Sequence, residues 1–142
     1  MAHNMTDEEW QNFVSKGTRT GKLATVRADG RPHIAPIWFV LDGGDVLFNT
    51  GKETVKGHNL ARDGRAALCV DDDRPPFSFV TLEGHVEITE DSEALVAWAT
   101  RIAERYVGPE QAEEFGRRNG VPGELVVRLR VDNVVAVGGV AN

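Results

Sequence analysis

The chain has 142 residues, a formal net charge of −6 and 41% hydrophobic residues. That length gives one domain with enough buried surface to fold without staples, and the composition is that of a soluble globular protein. A pI near 5.2 offers no overall positive field for nucleic acid, and no apolar run is long enough to span a membrane.

Residues 1–5 are expected to be disordered ahead of a single domain. Thr6, with Glu9 three residues on, forms a capping-box signal, and Trp10, Phe13 and Val14 supply the apolar face of a first helix that Gly17 stops. The period then changes to two. Leu23 to Val26 reads as a strand, Ala28-Asp29-Gly30 as a hairpin turn, and His33 to Leu41 as the next strand. Asp42-Gly43-Gly44 turns the chain back into Val46-Leu47-Phe48. These three strands are expected to form an antiparallel meander.

A helix is expected over residues 51–62, then strands near Ala66–Val70 and Phe79–Thr89. Gly84 interrupts the second of these, as at a bulge or a close backbone approach. Asp91 or Ser92 caps an amphipathic helix whose stripe runs through Leu95, Trp98, Ala99, Ile102, Ala103 and Tyr106. A short helix from Pro109 to about Arg118 ends at Asn119-Gly120, and a long strand follows from Leu125 to Val137. Six hairpin-linked strands with helices outside them suit a small antiparallel barrel, mainly β with α.

The chemistry-bearing signals are few. Cys69 is the one cysteine, it lies in what reads as a buried strand, and an inert core thiol in a reducing compartment is the reading. With no signal peptide, a cytoplasmic protein is expected. The four histidines show no metal-ligand spacing, so no metal site is expected. Asp71-Asp72-Asp73 lacks the alternation, glycine and terminal glutamate of an EF-hand and reads as a charged turn. No dinucleotide-binding glycine motif or P-loop is present.

One segment stands out. Lys52 and Lys56 are two of only four lysines, placed where a strand ends in Thr50-Gly51 and a helix opens. A helix start favours anions, and lysines four apart share one helical face, here with Asn59. The segment reads as a cradle for a cofactor phosphate; a plain solvated helix face is the competing reading. Upstream, Pro36 cannot donate to a ladder, so the strand is expected to break, bulge or meet a ligand there. Trp38 and Phe39 point to opposite faces, so that one can be core while the other lines a pocket.

In order along the chain stand Gly-Lys-Leu-Ala-Thr-Val-Arg-Ala-Asp-Gly-Arg-Pro-His at 21–33, Pro-Ile-Trp-Phe at 36–39 and Asn-Thr-Gly-Lys at 49–52. Lys-Gly-His-Asn-Leu at 56–60, Arg-Ala-Ala-Leu-Cys-Val at 65–70 and Leu-Glu-Gly at 82–84 follow. This ordered set resembles the pyridoxamine 5'-phosphate oxidase-like split β-barrel family, in particular its branch that uses the deazaflavin coenzyme F-420. The resemblance covers about residues 8 to 137. It implies a six-stranded antiparallel split barrel of the FMN-binding type with flanking helices, and a homodimer with cofactor sites at the interface.

By position, the resemblance implies that Lys52, Thr54, Lys56 and Asn59 hold the cofactor phosphate, with Thr50 and Gly51 at its mouth. His33, Ile34, Ala35, Pro36, Ile37 and Trp38 match the strand whose backbone lies against the ring. Phe77, Ser78 and Phe79 match a region that reaches the ring from the other subunit, and Arg31 a position that meets the acidic tail of F-420. The implied function is an oxidoreductase that transfers a hydride from reduced F-420 to a small unsaturated organic substrate. FMN is the competing cofactor, and a non-catalytic flavin- or F-420-binding protein the competing role. No C-terminal arginine motif for a second phosphate is present, so vitamin B6 oxidation is not implied. No catalytic side chain is assigned.

Overall fold

The computed structural model describes residues 1–142. In chain order the elements are β1 (His3–Asn4), α1 (Asp7–Ser15), β2 (Gly21–Val26), β3 (Pro32–Ile37), β4 (Val40–Asp42) and β5 (Asp45–Gly51). They continue as α2 (Val55–Arg62), β6 (Arg65–Asp72), β7 (Ser78–Thr89), α3 (Ser92–Val107), α4 (Pro109–Asn119) and β8 (Glu124–Gly138). The architecture is α+β, a mostly antiparallel sheet flanked by four helices.

Local signals set the first helix as the sequence predicts. The Thr6 hydroxyl accepts the Glu9 N–H at 3.2 Å, and the Glu9 carboxylate accepts the Thr6 N–H at 3.0 Å. Trp10 and Val14 then turn inward. Residues 1–5 differ from the expectation of disorder, because His3 and Asn4 pair with Gly138 and Val137 of β8.

The hydrogen-bonded path runs β3-β2-β6-β7-β8-β5-β4. Its two outermost strands, β3 and β4, are consecutive in the chain and joined only by Trp38 and Phe39. Two residues span little distance, so the two edges of the sheet must curl toward each other. The barrel is therefore split at this seam, not closed by a ladder. The expected three-strand meander is thus corrected: β2 pairs β3, and β4 pairs β5, but the 33–41 run is cut in two. The cause is a distant contact: the β2–β3 ladder runs past Pro36 to Ile37, and the polar groups of Phe39 are taken by α3, as described below. This cut and β1 together explain why eight strands form where six were expected.

Inward-facing residues of the curled sheet make the main core, including Leu23, Phe39, Phe48, Leu68, Val80, Leu82, Val127 and Leu129. Each large side chain so buried contributes roughly 1.5–3 kcal/mol of transfer free energy. The outer face of β5 and β8 is covered in turn by α3, where Leu95 packs on Leu47 and Val126. On β6, Ala66, Leu68 and Val70 point inward, so alternation sends Cys69 outward, where it is half-buried. The expected core thiol is corrected accordingly. The register between β7 and β8 slips at Glu83/Gly84, and a Cβ on Gly84 would collide with the Arg130 carbonyl. The Gly84 signal therefore marks both a bulge and a close approach.

Candidate functional site

The seam is held from α3 by two neighbouring residues. The Tyr106 hydroxyl accepts the Phe39 N–H at 3.2 Å and donates to the Arg19 carbonyl at 2.8 Å. The Arg105 guanidinium donates to the carbonyls of Phe39 and Val14, each at 2.7 Å, and of Gly17 at 3.0 Å. Phe39 is fully buried, whereas Trp38 remains 40% exposed and stacks on Tyr106 with ring centroids 5.0 Å apart. One aromatic is core and the other faces outward, as alternation requires.

Beside Trp38 lies a cavity of about 300 Å³. Pro36, Ile37 and Trp38 form one wall, and Asn49 of β5, Lys56 of α2 and Glu124 of β8 a second. Ala99, Ile102 and Ala103 of α3, with Asn119 at the end of α4, close the rest. Ala99 and Ala103 lie one helical turn apart, and their small side chains leave the space.

The turn leading into α2 is built by Thr54. Its hydroxyl donates to the Gly51 carbonyl at 2.7 Å and accepts the Gly57 N–H at 3.0 Å. That hydroxyl's single proton is thereby committed, so the Thr50 hydroxyl donates to it at 3.2 Å. A Cβ on Gly57 would collide with the Gly51 carbonyl, so only glycine lets the helix start this close to the strand end. The backbone N–H groups of Glu53 and Lys56 find no acceptor in the chain. Together with the Lys56 ammonium they offer donors to an anion at a helix start.

The helix begins at Val55, later than the sequence suggests, and this corrects the shared face of Lys52, Lys56 and Asn59. Lys52 lies in the turn before the helix. It lines an adjoining cavity of about 210 Å³ and sits 3.5 Å from Glu90. The two cavities meet at Glu124, which lines both. Asn59 is only 3% exposed, its amide donating to the Thr25 hydroxyl at 3.0 Å and accepting from Arg62 at 3.3 Å. Its side chain therefore ties α2 to β2 and does not line the cavity.

Among the other predicted residues, Thr50, Gly51 and Thr54 gather at the α2 start, and Pro36, Ile37 and Trp38 at the cavity wall. His33, Ile34 and Ala35 lie further back along β3, where Ile34 is 68% exposed. Arg31 sits in the hairpin turn between β2 and β3, paired with Asp29 at 2.7 Å, and does not join the cavity. Phe77 and Phe79 lie toward the far end of β8 from Glu124, since Phe79 pairs with Val137. Within one chain they are not brought to Lys56. Arg128 and Arg130 are spent on Asp42, Asp45 and Glu87.

Sequence reasoning missed Asn49 and Glu124. Asn49 stands opposite Val126, and Glu124 opposite Gly51, so both project from the α3-covered face of the β5–β8 ladder. The Asn49 Nδ2 and Glu124 Oε2 atoms are shut off from solvent and have no hydrogen-bond partner. Burial raises the Glu124 pKa above the usual carboxylate range, while Lys56 pulls it down. A polar residue breaking the apolar run at Phe48-Asn49-Thr50 was the available signal for Asn49. Glu124 needed the strand register.

A family model described as pyridoxamine 5'-phosphate oxidase matches residues 6–138. Among solved structures, a conserved hypothetical protein, Rv2991 from Mycobacterium tuberculosis, is 31% identical with a TM-score of 0.82, covering 93% of this chain and 84% of that one. A protein named F420 Reductase is 25% identical with a TM-score of 0.68, covering 87% of this chain and 94% of that one. A heme binding protein from Mycobacterium smegmatis is 25% identical with a TM-score of 0.75; 99% of this chain is covered, but only 57% of that one. The split sheet, the seam at Trp38-Phe39 and a match over nearly the whole length agree: the chain belongs to the pyridoxamine 5'-phosphate oxidase family.

Proposed function

We propose that the protein is an oxidoreductase that uses reduced coenzyme F-420 to transfer a hydride to a small unsaturated organic substrate. One observation carries this reading: the Lys56 ammonium, from a helix start with free N–H groups, and the Pro36–Trp38 strand end line the same cavity. A phosphate at the α2 start and a flat ring along the strand end suit that arrangement. Lys56 holds the phosphate, the turn built by Thr50, Gly51 and Thr54 shapes its seat, and Lys52 stands beside it. The bound coenzyme supplies the hydride. The chain's own task is to position the ring against the substrate and exclude water. The likeness to the F420 Reductase supports the choice of coenzyme. FMN is the second reading, favoured by the family match, because the same seat suits its phosphate.

The reading includes a cytoplasmic homodimer. Ile34, Trp38, Phe77 and Val135 are exposed apolar side chains, and the outer face of the sheet carries a hollow of about 380 Å³ lined in part by Ala24, Val26, Pro32 and Ala67. Such a surface suits a second copy, whose Phe77 and Phe79 would then reach the ring. Titration of the purified protein with F-420 and with FMN, followed by absorbance and fluorescence, tests the reading. F-420 should bind more tightly than FMN, and Lys56→Ala should weaken it. Binding of neither coenzyme sinks the proposal.

A further inference from the structure

Phe77 is the one residue other than glycine whose backbone lies in the left-handed region, at φ +60°. A bulky side chain rarely accepts that conformation, which persists only where the surroundings over-determine it. Three consecutive N–H groups after β8 supply the restraint. Gly139 donates to the Ser78 hydroxyl at 3.1 Å, Val140 to the Phe77 carbonyl at 2.8 Å and Ala141 to the Pro76 carbonyl at 2.8 Å. Asn142 donates back to the Gly139 carbonyl at 3.0 Å, which closes the segment into a turn. From the other side, the Phe77 N–H donates to the Arg74 carbonyl at 2.9 Å.

The residue so held is not core. Phe77 is 41% exposed, and Arg74, Pro75 and Pro76 before it are exposed as well. Glycine or asparagine takes this backbone conformation more readily. An aromatic ring held outward there, with backbone bonds on both sides, is placed for a contact. The Lys56 cavity of the same chain does not provide it. Phe79, two residues on, pairs with Val137, at the opposite end of β8 from Glu124. The contact is therefore with another molecule.

We infer that Gly139–Ala141 is a positioning segment, whose N–H groups fix the backbone over Pro76–Ser78 so that Phe77 forms one wall of the coenzyme site of a second copy. The wall rests on the cofactor and dimer reading; the restraint on Phe77 does not.

The experiment uses the full chain with Val140→Pro and Ala141→Pro made together, which removes two of the three donors. Circular dichroism checks the fold. Without coenzyme, amide exchange over residues 74–79 should rise at least about tenfold, while β2 and β6 keep the parent's protection. F-420 titration should then show affinity about tenfold weaker than the parent's. Phe77→Ala should weaken it similarly, and adding the proline pair to Phe77→Ala should weaken it no further, because the segment acts through that ring. Subunit mixing separates positioning from damage. The proline variant keeps Lys56, and Lys56→Ala keeps a positioned Phe77. Co-expressed with different tags and purified over both, they form a mixed dimer with one complete site, which should bind F-420 as tightly as the parent. Unchanged exchange, unchanged affinity in the proline variant, additive losses with Phe77→Ala, or no tight site in the mixed dimer each overturns the inference. A parent that binds F-420 beside an unaffected proline variant sinks only the positioning role. A parent that binds neither F-420 nor FMN sinks the cofactor reading and the wall with it, and the exchange result still decides whether the segment holds Phe77.

Discussion

The Tyr106 hydroxyl and the Phe39 N–H meet at 3.2 Å across the seam where the sheet splits. A backbone N–H at a strand break has lost its ladder partner, and a buried one must be met elsewhere. Tyr106 does this while also donating to Arg19, and its ring supports Trp38 from below. Tyr106→Phe keeps the ring and removes both bonds. Chemical denaturation should show a loss of about 1–3 kcal/mol, with the far-UV spectrum unchanged. A variant as stable as the parent would mean that water takes over the hydroxyl's role.

Arg105 should matter more. Its guanidinium reaches the carbonyls of Val14, Gly17 and Phe39, so one side chain joins the end of α1, the loop after it and the seam. Arg105→Met keeps much of the packing but strands three acceptors. We expect a loss of about 3 kcal/mol or more by denaturation. Arg105→Lys should recover only part of it, because an ammonium lacks the planar fork.

Lys56 and Asn59 look alike in the sequence as phosphate ligands, but the structure separates them. Lys56→Ala removes an ammonium from the cavity and should weaken coenzyme binding by about 1–3 kcal/mol with little effect on the melt. Asn59→Ala strands the buried Thr25 hydroxyl and should cost about 1–3 kcal/mol of stability while leaving coenzyme affinity close to the parent's. Titration and melting of both variants decide it, and equal effects on both readouts would undo the distinction.

Gly57 marks where helix and strand end approach most closely. Gly57→Ala places a methyl against the Gly51 carbonyl, which must move. Overpacking of this kind costs roughly 1–3 kcal/mol. Because Gly51 forms the floor of the proposed anion seat, coenzyme affinity should fall together with the melting temperature. An unaffected affinity would place the phosphate elsewhere.

What the sequence made legible was local. The Thr6 box, the Trp38/Phe39 division and the α3 stripe each depend on residues close together in the chain, and Gly84 carries its own signal although its partner, Arg130, is distant. The misreadings arose where distant pairing decided the outcome. The 33–41 run looks like one strand until Arg105 and Tyr106 take the Phe39 polar groups. Lys52 appears helical until Thr54 takes the cap. Asn59 seems to face the lysines until Thr25 draws it inward. Glu124 has no local signal at all; it enters the site only because β8 pairs with β5 in a register that sets it opposite a glycine.

Glu124 gives a pH test whose sign follows from its surroundings. Its ordinary value is 4.5, and burial raises it in the folded chain. The folded form then holds its proton to higher pH than the unfolded form. Between 4.5 and the raised value, stability falls as pH rises, and above that window the cost persists in full. Glu124→Gln does not titrate and keeps the shape. The variant should therefore melt higher than the parent at pH 7, and the difference should shrink as pH drops toward 4. Melting curves from pH 4 to 8 check this. The opposite sign would mean that Lys56 stabilises the carboxylate by more than burial costs it, and the carboxyl would then be a standing partner of Lys56.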